Sequence, residues 1–268
     1  MERITRKLGI NCECIRGLSA VDTLPLIKEA GFEAIFAGAY RRADVAAIKN
    51  KCDELGIFIN SLHAPFSGIN QLWMPGMNYL PLYKKILESI DAAAENEIPA
   101  IVLHVSSGWR PPEITDLGLA RYDHLIEYAL DRNVQIAFEN LRMVGNLAYL
   151  ADRYHNVSNV GFCLDVGHEH CYTDTVTWMD IFRSRLLLTH IHDNFGIREE
   201  YEENTDIHYL PFDGDVDYAK MMQKLDEYGY EGNLTLEVTN GAKPEYAEMT
   251  PMEFIQSAYD RLCRIAAM

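Results

Sequence analysis

The sequence predicts an α/β protein folded as a (β/α)8 TIM barrel, a closed sheet of eight parallel strands, with residues 1–268 forming one domain. Three observations predict it. Short apolar runs alternate with helical segments along the whole chain, as a buried parallel sheet with crossover helices requires. The turn after the first run, GINCECIRGLS, lacks the glycine-rich phosphate pattern of an open doubly wound sheet. Six of the runs end in a residue of metal-ligand type. Residues 57–62 lead to His63, 101–103 to His104, 136–138 to Glu139, 162–164 to Asp165, 186–189 to His190 and 234–236 to Glu237. An ionisable residue at the carboxyl end of strand after strand is how a barrel builds one site from distant segments.

The elements follow in order. Strand one is read at 8–12 and helix one around 24–30, closed by Gly31; strand two is 34–36 and helix two 43–55, closed by Gly56. Strand three, 57–63, enters the long loop APFSGINQLWMPG before a helix near 80–96. Strand four, 100–104, is followed by SSGWRPPE and a helix near 117–132. Then come strand 135–139, helix 146–154, strand 160–165, helix 175–183 and strand 186–190. A third long loop, from 193 to about 215, precedes helix 218–228, strand 234–237 and a last helix at 252–267. The long loops all follow strands, so they crowd the catalytic face over the ligand-bearing strand ends.

At 268 residues and 48% hydrophobic, the chain can bury a full core. The charged start, MERITRK, lacks the apolar stretch of a secretory signal, and no apolar window approaches the ~20 residues of a membrane helix. A cytoplasmic protein without membrane partners is expected, and a homo-oligomer is left open. The six Cys form no CxxC pair and read as buried thiols. A net charge of −16 disfavours nucleic acid as a partner, because phosphate backbones are gripped by basic faces.

A lone His or Glu at a strand end is usually a satisfied polar residue or a helix cap. Six agreeing positions change that balance, because converging carboxylates and imidazoles are hard to stabilise in a desolvated barrel mouth without a cation. A divalent metal is therefore expected, manganese or zinc first, with cobalt, magnesium or iron as alternatives, at one to three ions per chain. The loops add His168 in DVGH and the pair Asp206 and His208, whose two-residue spacing turns both to one side of an extended segment. His190 and His192 share a spacing too; His190, deeper in the strand, is read as ligand, and His192 as a substrate contact or a residue supporting the ligands from behind. His124, His155 and His170 have no supporting partner in the pattern.

The motifs HAPF, LHVSSG, AFEN, CLDVGH, THIHDN, DIHYLPFDGDVD and LTLEV together resemble the xylose-isomerase-like barrel superfamily over essentially the whole chain. That superfamily includes sugar and sugar-phosphate isomerases and epimerases, inosose-processing enzymes and type IV apurinic endonucleases. The resemblance implies that Glu139, Asp165, His190 and Glu237 form a central metal quartet. In the endonuclease-like pattern His63 and His104 would join Glu139 on a second metal, and His168, Asp206 and His208 would hold a third. It implies Glu139 and Glu237 as catalytic base and acid.

The reaction expected first is metal-dependent isomerisation or epimerisation of a sugar or sugar phosphate, by proton transfer through a stabilised enediolate. A multinuclear zinc phosphodiesterase resembling the endonucleases is the alternative, and a non-catalytic ligand-binding barrel the third reading. Phe66 and Trp73 are candidate platforms for the apolar face of a sugar ring, with loop anchoring as their bland role. Arg110, Arg198 and the small turn at 106–108 are candidates to hold an anionic group.

Overall fold

The computed structural model describes residues 5–197 and 205–268. Strands β1 (Leu8–Asn11), β2 (Ala34–Ala37), β3 (Phe58–His63), β4 (Ala100–Leu103), β5 (Gln135–Glu139), β6 (Val160–Asp165), β7 (Leu186–His190) and β8 (Leu234–Leu236) form one sheet, ordered β7-β6-β5-β4-β3-β2-β1-β8. Every pairing is parallel. The first strand pairs with the last, Leu8 opposite Leu234. Just beyond β7, Ile191 completes the ring: its N–H donates to Thr235 O at 2.9 Å, and its carbonyl accepts from Glu237 N at the same distance. The expected TIM barrel is the fold.

Alternation along the strands decides which residues meet at the mouth. Ala100 and Val102 of β4, Ala137 of β5, Cys163 of β6 and Leu188 of β7 form a small apolar cluster of their own, separate from the large core under the helices. Continuing each strand by that two-residue step arrives at His104, Glu139, Asp165 and His190. Bulges reset the step where it would fail. The β2–β3 register slips between Ile35 and Phe36, and the β6–β7 register between Phe162 and Cys163. After these slips, His63 and His190 follow on from Ser61 and Leu188.

Helices α1 (Ala20–Ala30), α2 (Arg42–Leu55), α3 (Leu80–Glu95), α4 (Asp116–Leu130) and α5 (Val144–Arg153) follow the first five strands. Ser19 caps α1 by accepting from Asp22 N, and Gly31 ends it at φ 111°, a left-handed conformation that a side chain would resist. The expected helix at 175–183 is shorter, α7 (Trp178–Phe182), and an unexpected helix, α6 (Val166–Tyr172), starts directly after β6. Its signal was hidden because Asp165 ends the strand and also caps the helix, its Oδ1 accepting from His168 N at 2.7 Å. Helices α8 (Tyr218–Glu227), α9 (Pro244–Ala247) and α10 (Pro251–Ala266) complete the ring. A capping box of Thr250 and Glu253 opens α10. The six cysteines are free thiols, five of them buried. Among the described residues no helix is long and apolar enough to cross a membrane.

Three outer helices are tied through one carboxylate. Asp91 of α3 accepts from Arg42 Nη2 of α2 at 2.6 Å, and from Arg132 Nε and the Tyr128 hydroxyl beside α4 at 2.7 and 2.9 Å. Burial would raise its pKa, but these donors outweigh it and hold the carboxyl below its ordinary value. The stability this contributes is present above about pH 4, the range of a free carboxyl, and is lost as the pH falls through the lower folded value. Asp91→Asn should therefore lower unfolding free energy by roughly 1–2 kcal/mol at neutral pH, with the gap to the parent narrowing in acid. Denaturant melts between pH 7 and 3 would show it; a gap independent of pH would contradict the assignment.

Candidate metal centre

The strand ends deliver their side chains to one place. Glu139, 1% exposed at the end of β5, is central. Its Oε1 lies 2.8 Å from His190 Nδ1, and its Oε2 lies 2.6 Å from His104 Nε2 and 3.3 Å from His63 Nε2. The same His190 nitrogen is 2.9 Å from Glu237 Oε2. Phe36 stacks on the His190 ring at 4.4 Å and fixes its plane. His63 Nδ1 is 3.0 Å from Ala64 O, which orients that ring in turn.

Two sets of ligand-type atoms gather within 4.8 Å around Glu139: Glu139, Asp165, His190 and Glu237; and His63, Glu139 and His190. A further set joins His168, His192, Asp206 and His208. Here the structure brings together more than the sequence suggested. His192, expected to touch substrate, is wholly buried, with Nε2 3.1 Å from Asp165 Oδ1 and its ring stacked on His208 at 3.9 Å. It stands with the ligand-type groups and not on the wall of the cleft above them.

Bracing groups hold these side chains. Asn140 brackets the ends of β5 and β6: its Nδ2 donates to Asp165 O, and its Oδ1 accepts from Asp165 N, both at 2.8 Å. Asp193 knots the loop after β7, accepting from the N–H groups of Asn194, Phe212 and Val216. That knot presents Asp206 and His208. His208 takes φ 54°, unusual for a side-chain-bearing residue, and its Nδ1 lies 2.8 Å from Glu237 O.

Charge balance shows what the centre wants. Burial works against ionisation at Glu139, Glu237, His168, His190 and His208, yet their neighbours override it. Despite burial, Glu139 lies well below the carboxylate range because His190 and His104 face it, and Glu237 is lowered by His190 and His208. Burial would lower His190, but Cys163, Glu237 and Glu139 raise it; Asp165 and Asp206 likewise raise His168. His208 is pushed up to about 10, chiefly by Asp206 acting against burial. His104 stays lowered, its burial exceeding the pull of Glu139. Carboxylates from four segments thus demand positive charge, and protons on imidazoles supply it in part.

The residues present fit a divalent cation. Asp165 is fully buried, and among the described residues its Oδ2 has no hydrogen-bond partner, an expensive omission unless that oxygen serves a ligand. His104 Nε2 and His192 Nε2 crowd Glu139 and Asp165 without a directional hydrogen bond, as donors aimed at a shared point do. Mixed imidazole and carboxylate donors suit zinc and manganese.

Above these groups a cleft of about 280 Å³ is lined by His63, Phe66, His104, Ser106, Ser107, Glu139, Leu141, Arg142, His168, Asp206, His208 and Glu237. Phe66 is on its wall, stacked on His104 at 4.2 Å. Trp73 is not: it is 1% exposed, its Nε1 donates to Val105 O at 2.7 Å, and it packs on Tyr122, so it anchors its loop. Arg110 is exposed and outside the cleft lining, and Arg198 falls outside the described residues. The arginine in the cleft is Arg142, two residues beyond Asn140. Its signal was available, since it closely follows a ligand-bearing strand on the loop face.

A family match and structural likenesses place the chain. The description "Xylose isomerase-like TIM barrel" matches residues 24–258. The chain belongs to this family. An uncharacterized protein of Sinorhizobium fredii, y4fM, is 30% identical over 80% of this chain and 79% of its own length. A xylose isomerase domain protein from Planctomyces limnophilus superposes with a TM-score of 0.74 at 17% identity, over 99% of this chain and 98% of that one. D-allulose 3-epimerase from Methylomonas sp., solved with D-allulose, gives 0.73 at 14% identity, over 98% of each chain. Membership agrees with the barrel, and at such identities the likeness to solved structures speaks for the fold.

Gly167 is the tightest point behind the second donor set. A Cβ there would stand 2.1 Å from His192 Cε1 and 2.4 Å from both ring nitrogens. Gly167→Ala must displace that ring, at a cost of roughly 1–3 kcal/mol, and should weaken Zn2+ or Mn2+ binding measured by calorimetric titration. Unchanged melting together with unchanged cation binding would show that His192 is not held as described.

Proposed function

We propose that the chain is a divalent-metal-dependent epimerase or isomerase of a monosaccharide or its phosphate, working by proton transfer. The observation that carries this reading is that Glu139 and Glu237, from strands far apart around the ring, meet at a single His190 nitrogen beneath a cleft of monosaccharide scale. Small-molecule pockets run roughly 300–1,000 Å³, and this cleft lies at the lower edge. The likeness to a D-allulose epimerase supports the same class. Glu139, Asp165, His190 and Glu237 would hold the cation. When bound there, a divalent cation supplies Lewis acidity to a sugar carbonyl and its neighbouring hydroxyl.

The chain's own groups do the rest. Glu139 and Glu237 are kept ionised by their imidazole neighbours, so either can accept a proton from the carbon next to the carbonyl. For inversion, the opposite carboxyl, protonated from solvent before the step, gives its proton to the other face of that carbon; for isomerisation, the abstracted proton is delivered to the former carbonyl carbon while the neighbouring hydroxyl proton passes to the old carbonyl oxygen. His63 and His104 hold the Glu139 carboxylate in one orientation. Phe66 and Leu141 give the cleft an apolar wall that fits the hydrogen-bearing face of a sugar and keeps water from the reacting carbon.

A second reading has one observation in its favour. The His168, His192, Asp206 and His208 set offers a further cation site, and clustered cations suit phosphodiester hydrolysis. The −16 net charge weighs against a polyanionic duplex.

With a panel of ketoses in deuterated water, deuterium should enter next to the carbonyl, and chelation should abolish the exchange until Mn2+ is restored. Nicking of an abasic-site duplex without such exchange would transfer the assignment to the hydrolase. Glu237→Gln should reduce turnover by roughly 10²–10⁴ while the protein still binds a cation. Near-normal turnover in that variant would remove Glu237 from the proton path.

A further inference from the structure

Arg142 stands out once the cleft is assembled. Among the described residues lining it, Arg142 is the one arginine or lysine, facing a set that includes Glu139, Asp206 and Glu237. Its guanidinium is clamped. Nη2 donates to the Tyr172 hydroxyl, Cζ lies 3.8 Å from the centre of the Tyr172 ring, and Trp109 stands 5.6 Å from Cζ on another side. Tyr172 itself stacks on His168 at 5.2 Å, so the arginine is referenced to the donor groups beneath. The Tyr172 hydroxyl accepts the Nη2 hydrogen bond as a neutral group and does not cancel the guanidinium charge. Among the described residues, Arg142 Nε is buried with no hydrogen-bond partner.

A planar cation held by two aromatic rings, with one donor already engaged and another buried and unmet, is costly as a mere strut. It is well suited to an oxyanion, which takes two parallel N–H donors at once. Ser106 and Ser107, from the loop after β4, face the same cleft with small polar side chains that suit such a group.

We infer that Arg142 is the specificity determinant for an anionic group, a phosphate ester or a carboxylate, carried by the sugar. The inference rests on the proposed sugar chemistry and names its substrate class. An anionic monosaccharide is recognised here by this side chain, and neither Arg110 nor a glycine-rich turn is needed.

The test compares the parent with Arg142→Met, which keeps the stem and the ring contacts, and Arg142→Lys, which keeps the charge but not the fork. Melting temperatures establish that each is folded. Calorimetric titration with inorganic phosphate, a ketohexose 6-phosphate and a hexuronate reads binding without turnover, and the two sugars separate phosphate from carboxylate recognition. Arg142→Met should weaken binding of the preferred anion about ten- to a hundredfold, with Arg142→Lys recovering part of it. In turnover, the ratio of kcat/KM for the phosphorylated to the neutral ketose should fall by a similar factor in Arg142→Met. An equal loss on both sugars, or anion binding indifferent to residue 142, would overturn the inference and leave the epimerase reading standing. Anion binding that depends on Arg142, with no sugar exchanging deuterium, would sink the epimerase reading while the anion site stood.

Discussion

The buried carboxylate of Glu139 is the constraint on which the barrel mouth depends. An anion at 1% exposure has lost its water, and the desolvation of one charge costs several kcal/mol unless partners replace it. His63, His104 and His190 are those partners, and each comes from a different strand. No local segment can satisfy Glu139, so the site exists only when β3, β4, β5 and β7 are all in register. The bulges at β3 and β7 set the phase of the alternation for the two histidines that would otherwise face the helices. Ligand geometry and barrel closure are thus one requirement: a slip of one residue in any of these strands would turn a ligand into the helix layer.

A second layer fixes the segments that carry the donors. Asn140 pins the Asp165 backbone on both sides, and the helix cap occupies Oδ1, so that Oδ2 is left over. Asp193 does the corresponding work for the loop that carries Asp206 and His208, using backbone N–H groups from three separate residues. Such arrangements spend stability on positioning, which is the pattern expected where a fold carries chemistry.

The parts of the molecule legible in the sequence are those ruled by short-range periodicity. Strands β5, β6 and β7 fall where the apolar runs end, because a strand buried on both faces is uniformly apolar up to its first ionisable residue. Helix ends at Gly31 and Gly56 follow from left-handed caps. What escaped detection depends on contacts far along the chain. Helix α6 begins without a loop because Asp165 serves as strand end and cap together, and its polar, glycine-containing sequence shows no amphipathic rhythm. His192 follows His190 at a strand's two-residue step, so spacing alone assigned both to one side, yet they join different donor sets. Phe66 and Trp73 share a loop, and which one faces the cleft is decided by Val105 O and Tyr122, more than 30 positions on. The sequence does not distinguish Arg142 from Arg110 and Arg198, because loop arginines look alike until contacts such as those of Tyr172 and Trp109 show which one is held.

The acid balance of the chain and a cationic side chain in the cleft answer different questions. Over solvent, the field of a −16 chain decays within roughly 8 Å at physiological ionic strength, so its effect on a ligand scales with how many charges approach the surface together. A nucleic-acid duplex presents many phosphates across a wide face and meets that field throughout. A monosaccharide carrying one anionic group meets it once, briefly, and then enters a cleft where interaction at contact distance replaces the screened field. There the arginine within reach is Arg142, its guanidinium held in a fixed plane over Tyr172. The same net charge that turns away a polyanion is therefore compatible with a small anion. Selection of that kind needs no basic surface, only one positioned fork in the wall of the cleft.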